Sequence, residues 1–154
     1  MEKRETIVYQ EYKFSELTDY DRELVDAAID ATERAYAPYS DFHVGAAIRM
    51  DDGTIVTGSN QENMAYPSGL CAERTAMFAA SSQYPGKAML SLAIVGRNQK
   101  GELVPATPCG ACRQVMAEYQ NCQGRRMRIL TYFSEDKILV FDGVESLLPF
   151  IFTM

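Results

Sequence analysis

The sequence predicts an α/β protein, a three-layer α/β/α sandwich around a five-stranded mixed sheet. Two features lead there: segments of helical and strand character alternate along the chain, and no repeat, low-complexity tract or Gly/Ser/Pro linker interrupts them. At 154 residues, with 47% hydrophobic and 23% charged positions, the chain is long enough for a proper core, and residues 1–154 read as a single domain.

From about Ser15 to Tyr36, the residues Leu17, Leu24, Ala27, Ala28, Ala31 and Ala35 recur at helical spacing, and Pro38-Tyr39-Ser40 ends the helix. Val44 to Met50 and Thr54 to Gly58 are short, partly β-branched runs; the turn signal Asp51-Asp52-Gly53 joins them as a hairpin. A polar loop from Asn60 to Ser68 leads into a helix that begins at Cys71 and ends near Ser81. Ala88 to Val95 reads as a buried strand and Pro108 to Gln120 as a helix with proline in its first turn. Met127 to Phe133 and Ile138 to Phe141 are further strands. The tail, Val144 to Met154, is apolar, and its Phe150 and Phe152 either close the core or make a subunit contact.

Fifteen Lys and Arg against 21 Asp and Glu give a net charge of −6 and a pI near 4.8. That balance argues against nucleic acid or an anionic membrane as partner. No apolar run approaches the roughly 18 residues that span a bilayer, and the start of the chain lacks a secretory apolar region. A cytoplasmic location is expected, and there four cysteines read as metal ligands, catalytic thiols or buried hydrophobes rather than a disulfide framework.

Cys109 and Cys112 stand three apart in Pro108-Cys-Gly-Ala-Cys-Arg. On a first helical turn both sulfurs lie on one face and can share a metal, although a CxxC pair by itself is equally a redox pair. Cys71, 38 positions earlier, also begins a helix, and two positive helix ends favour thiolate over thiol. A closed four-cysteine site would need Cys122, ten positions beyond Cys112. That is about 15 Å along a helix, whereas sulfurs on one zinc lie only about 3.8 Å apart. Three ligands leave the fourth position open, which is the arrangement of a catalytic rather than a structural zinc. Glu73 follows a ligand by two positions and can turn toward the open position without ligating; taken alone, it is better read as a first-turn glutamate favoured by the helix dipole, a preference the whole constellation reverses. Cys-x-Glu followed by Pro-Cys-x-x-Cys matches the three-cysteine form of the zinc deaminase signature, in which the Glu is general acid and base.

Five segments in order resemble the small free-nucleoside members of the cytidine deaminase family, over about Leu24 to Phe152. They are Tyr39-Ser-Asp-Phe-His-Val-Gly-Ala-Ala, Asn60-Gln-Glu-Asn, Tyr66-Pro-Ser-Gly-Leu-Cys-Ala-Glu-Arg-Thr-Ala, Pro108-Cys-Gly-Ala-Cys-Arg-Gln and Leu147-Leu-Pro-Phe-Ile-Phe. The resemblance implies one Zn²⁺ per subunit on Cys71, Cys109 and Cys112. It also implies hydrolysis of cytidine and 2′-deoxycytidine to uridine and 2′-deoxyuridine with release of ammonia, in pyrimidine salvage. Glu73 would take a proton from the zinc-activated water and deliver protons to N3 and to the departing amine. Asn60 and Glu62 resemble the pair that binds the ribose 3′-hydroxyl, Phe42 an aromatic packed on the nucleoside, and Ala72 a further substrate-binding position; loop capping and core packing are the structural alternatives for the first three. Arg74 resembles an arginine that hydrogen-bonds the zinc thiolates, a task for which Arg113 is the weaker candidate. Phe152 resembles an aromatic that reaches a neighbouring subunit's pocket and stacks on the pyrimidine, so the expected protein partner is the chain itself, as a homotetramer with shared sites.

His43, the only histidine, departs from the family pattern, which commonly has proline there. It reads as a satisfied strand or pocket-edge residue rather than a ligand. Three rival functions compare unfavourably. A deaminase of a cytosine nucleoside antibiotic would not need the ribose-type loop Asn60-Gln-Glu-Asn. A polynucleotide editor would carry a basic groove, and Glu62 would repel its phosphodiester. A non-catalytic zinc module would leave Glu73 without a purpose.

Overall fold

The central strands are near-continuous buried runs, which give the sheet two buried faces. The computed structural model describes residues 1–134 and 136–154. Its elements are β1 (Gln10–Lys13), α1 (Asp19–Ala31), β2 (His43–Met50), β3 (Ile55–Ser59), α2 (Ala72–Gln83), β4 (Met89–Arg97), β5 (Leu103–Val104), α3 (Gly110–Gln123), β6 (Arg128–Ser134) and β7 (Lys137–Phe141). The sheet order is β1-β7-β6-β4-β2-β3, with β5 paired to β4. The β4–β6 pair is parallel and the others are antiparallel, so the sheet is mixed.

Ala46, Ile48, Met50, Leu92, Ile94 and Ile129 point to one face, where Ala72, Ala76, Met77 and Ala80 of α2 and Cys112, Met116 and Ala117 of α3 cover them. Ala47, Ala93, Val95, Leu130, Ile138 and Val140 point to the other, under Leu24, Val25 and Ala28 of α1. Each fully buried Leu or Ile contributes about 1.5–3 kcal/mol. Alanines at the contacts let helices lie close to the sheet, and at two positions even alanine is too large. A Cβ on Gly45 would fall 1.9 Å from the Ala28 carbonyl oxygen, and one on Gly58 would fall 2.4 Å from the Ala76 nitrogen. Gly58 therefore sets how near the first turns of α2 sit to β3.

The three layers and the mixed sheet are as expected, but the sheet has seven strands rather than five. The two additional strands carry little sequence signal. β1 is an edge strand, largely exposed and without apolar alternation, held by pairing with β7, and β5 is only two residues long. The first helix is shorter than its periodicity suggested. Thr18 caps its start by accepting from the Asp21 N–H at 3.2 Å. At its end the Thr32 hydroxyl bonds back to the Ile29 carbonyl at 2.6 Å, and the chain tightens into a 3₁₀ turn. The third helix begins at Gly110 with Cys109 at its N-cap, so Pro108 lies just outside the helix rather than in its first turn. Gly124, at φ 63°, closes that helix in the left-handed conformation. The hairpin at Gly53, with φ 87°, stands as read from the sequence.

Among the described residues no helix is long and apolar enough to cross a membrane. The tail divides its residues: Leu147, Leu148 and Ile151 pack against the core beneath α3, while Phe150 and Phe152 are exposed. Replacing Gly58 with alanine should cost about 1–3 kcal/mol, because backbone atoms of α2 must move to admit the methyl group. A urea midpoint unchanged from wild type would show that α2 does not bear on β3 at this point.

Candidate active site

Helices α2 and α3 start at cysteines. Cys71 and Cys109 occupy the N-cap positions with extended backbone, at φ −68°, ψ 155° and φ −69°, ψ 167°, and neither sulfur caps its helix. Serine, threonine, aspartate or asparagine would be the better cap at either place. The helices give up that stabilisation, and both sulfurs stay available. Cys112, one turn into α3, is fully buried.

The three sulfurs lie within 4.8 Å of one another, with Cys71 Sγ 3.8 Å from Cys109 Sγ and Cys109 Sγ 3.6 Å from Cys112 Sγ. These separations match the edge of a zinc tetrahedron with Zn–S near 2.3 Å, about 3.8 Å. The donor set fits one zinc ion per chain. The Cys112 thiol, donating to Cys71, holds the Cys71 thiol down to about 5, with the Arg74 guanidinium adding to the effect. Cys112, the donor of that pair, is pushed upward. Arg74 Nη2 stands 3.7 Å from Cys71 Sγ. Cys122 lies apart from the cluster, exposed on α3 near the Glu118 carboxylate.

Glu73, in the first turn of α2, is only 4% exposed. Burial is the main cause that raises its proton affinity, and the Cys71 charge adds to it. It lines a cavity of about 420 Å³ together with Phe42, Asn60, Glu62, Cys71, Ala72 and Cys109. A second cavity of about 570 Å³ adjoins it through Ser40, Asn60, Glu62 and Cys71, and Arg74 lines that outer one. The predicted residues line two joined cavities apart from Cys112, which is buried beside the other two sulfurs, and Phe152. Phe152 lines neither cavity and is 71% exposed; its backbone carbonyl accepts from Gln114 Nε2 at 3.1 Å.

The loop between α1 and β2 is stitched to the loop after β3. Glu62 accepts from the Tyr39 N–H at 2.8 Å, from the Ser40 N–H at 3.3 Å and from the Ser40 hydroxyl. The hydroxyl in particular holds the Glu62 carboxyl below its ordinary range. Asn60 Oδ1 accepts from the Val44 N–H at 2.7 Å, and its Nδ2 donates to the Phe42 carbonyl at 2.8 Å. Loop capping and cavity lining therefore coexist in both residues. The Phe42 ring sits where a side chain on Gly96 would be, 3.0 Å from that residue's missing Cβ.

Several neighbours were not foreseen. Pro105, Ala106 and Thr107 form part of the inner cavity and Tyr39 and Tyr66 part of the outer one. The signal for the first three was adjacency, since residues just before a ligand pair must lie beside the metal. Arg113 donates to the carbonyls of Pro108 and Leu147, both at 2.8 Å, and ties the tail to the start of α3; among the described residues it makes no hydrogen bond to a sulfur and no ion pair. His43 is a strand residue whose ring lies between the Thr32 carbonyl and the Asp41 carboxylate.

A three-thiolate zinc centre at two helix N-termini, with a buried carboxylate beside it, defines a zinc-dependent deaminase domain. Residues 18–123 match the family described as the cytidine and deoxycytidylate deaminase zinc-binding region, and the chain belongs to that family. It is 43% identical over 130 residues to a cytidine deaminase of Sporosarcina psychrophila, covering 84% of this chain and 89% of the relative. It is 48% identical over 95 residues to one of Halalkalibacterium halodurans, covering 62% and 68%. Among solved structures, cytidine deaminase from Burkholderia pseudomallei superposes with a TM-score of 0.73 at 38% identity, over 88% of this chain and all of the other. The Mycobacterium tuberculosis enzyme gives 0.68 at 36%, over 90% and 100%.

Metal analysis separates the cysteines. Cys112→Ala should lose the bound zinc, because two sulfurs no longer make the cluster, whereas Cys122→Ser should keep one zinc per chain. Arg74→Ala should weaken zinc binding or activity by about 10- to 100-fold.

Proposed function

We propose that this protein hydrolyses cytidine and 2′-deoxycytidine to uridine and 2′-deoxyuridine with release of ammonia, with residues 1–154 acting as one catalytic domain. The observation that carries this reading is the buried Glu73 carboxylate lining one cavity with two cysteines of a zinc-sized sulfur triangle. Cys71, Cys109 and Cys112 hold the ion. Zinc supplies a Lewis acid that makes water a nucleophile near neutral pH.

Glu73 takes a proton from the attacking water as its oxygen adds to C4, and delivers it to N3. It then takes the remaining proton from the C4 hydroxyl and passes it to the exocyclic amine, the C4–N bond breaks, the C4 oxygen becomes the uridine carbonyl and ammonia leaves. One carboxylate serves as base and then as acid, and burial suits it to hold the proton between the two steps. Ala72, fully buried at the start of α2, packs beside the pyrimidine, and Phe42 packs against the nucleoside. Arg74 hydrogen-bonds the thiolates and moderates their charge.

The sugar partners have capacity to spare. A carboxylate offers about four acceptor sites; the loop takes three on Glu62, and one remains for a 3′-hydroxyl. The Asn60 amide keeps one N–H after donating to Phe42. An ionised Glu62 at that place repels a 3′-phosphodiester, which favours free nucleosides over polynucleotides. This loop also favours a ribose over the sugar of a nucleoside antibiotic. The fitting setting is cytoplasmic pyrimidine salvage.

The exposed Phe152 supports a homotetramer in which each copy's tail completes a neighbour's cavity. Base–aromatic stacking is worth about 1–3 kcal/mol, so Phe152→Ala should raise KM by about 5- to 150-fold. A sedimenting monomer with full activity would refute the shared site.

Ammonia release from free cytidine tests the reaction. Glu73→Gln, with its zinc retained, should lose about 10²- to 10⁴-fold in kcat/KM. Undiminished turnover in that variant would remove Glu73 from the chemistry, and no release by the zinc-loaded wild type would overturn the proposed reaction.

A further inference from the structure

Asp41 is the one non-glycine residue with positive φ among the described residues, at 50°. Aspartate is among the few side-chain-bearing residues that visit this region, where a local hydrogen bond from its short side chain favours it. It lies between Ser40, whose hydroxyl donates to Glu62, and Phe42, whose N–H donates to Ser40 Oγ at 3.1 Å. The reversal at Asp41 therefore shapes both the clamp on Glu62 and the approach of Phe42.

The partner of the Asp41 carboxylate is His43. Its Nε2 lies 3.2 Å from Asp41 Oδ1, and its Nδ1 lies 3.3 Å from the Thr32 carbonyl oxygen at the end of α1. A carbonyl and a carboxylate only accept, so the ring must donate from both nitrogens. Neutral imidazole has one N–H and the imidazolium has two. The arrangement is complete only when His43 is charged. The other charged groups around it are Glu62, which senses the His43 charge, and Arg97, opposite His43 in the β2–β4 register. Arg97 donates to the Thr32 hydroxyl at 2.9 Å and is itself paired with Glu33 at 3.1 Å.

We propose that Asp41 and His43 form a protonation-dependent latch on the loop facing the sugar, which makes His43 a positioning residue for nucleoside binding. This rests on the reading of Glu62 and Phe42 as nucleoside contacts. When the ring loses its proton, one of the two bonds is lost, Asp41 is free to leave its left-handed conformation, and the grip of Ser40 on Glu62 loosens. KM for cytidine is therefore low while the ring carries both protons and higher once one is lost, whereas kcat, set by Glu73 and zinc, does not follow it.

The test is a kcat and KM profile for cytidine between about pH 5.5 and 8, the interval in which histidine changes charge, on wild type, His43→Gln and Asp41→Gly. Exposed ion pairs of this kind are worth 0.2–1 kcal/mol, so the wild-type KM should rise about 1.4- to 5-fold. His43→Gln cannot gain the charge, and its KM should stay level. Asp41→Gly adopts positive φ without a latch, and its KM should stay low and level. Coincident KM profiles for wild type and His43→Gln would overturn the proposal. Because the chain has one histidine, its imidazole signal is unambiguous by NMR. In wild type the amide signals of positions 40–42 should move with it as pH changes, and in Asp41→Gly they should not. Loop amides indifferent to the ring in wild type would also overturn the latch. Movement of the loop with the ring, in a protein that leaves cytidine untouched, would refute the nucleoside reading and still support the latch.

Discussion

The N-termini of α2 and α3 meet where Cys71, Cys109 and Cys112 bring three sulfurs within 4.8 Å, and the rest of the molecule is arranged around holding them there. Two helix ends of the same polarity repel one another. Thiolates facing them convert that repulsion into attraction, and a cation held by the three thiolates then ties the two ends together. The sheet supplies the mechanical part. β3 and β4 flank β2, α2 crosses between them on one face, and α3 links β4 to the parallel β6 on the same face. Gly58 then sets the first turns of α2 close against β3.

That packing also decides the chemistry of Glu73. A glutamate in the first turn of a helix is ordinarily a surface residue that interacts with the dipole. Here it lies under the loops before β2 and after β5, almost wholly removed from water. Removal from water raises its hold on a proton, and sulfur charges nearby reinforce that. A single acidic side chain can then accept and return a proton at the same place.

Around this rigid centre the substrate side is built from loops, and their order comes from hydrogen bonds more than from packing. Asn60 and Glu62 hold the Tyr39–Val44 segment through backbone groups and still face the cavity. Cavity lining and loop stability are thereby linked: a change that loosens the loop alters the groups that face the cavity. The apolar tail follows another logic, with one set of residues completing the core under α3 and Phe150 and Phe152 left outward.

Much of this was legible in the chain because the signals are local. Helical spacing of Leu24 and Ala28, the Asp-Asp-Gly turn and the CxxC pair each follow from residues within a turn or two of one another. Even the convergence of Cys71 with Cys109 could be inferred, since both begin helices and share a chemistry. What the chain did not disclose depends on partners distant in sequence. β1 has no apolar alternation and exists because β7 offers an edge. The α1 termini were decided by the hydroxyls of Thr18 and Thr32 against a longer apolar pattern. Arg113 serves the tail through a carbonyl 34 residues away. The sequence by itself determined the fold class, the ligand set and the class of reaction, because periodicity and residue chemistry are carried by each residue. Only the tertiary structure decided the burial of Glu73, the seven-stranded extent of the sheet and the left-handed Asp41 beside His43, because solvent exclusion and backbone conformation arise from contacts that no single segment contains.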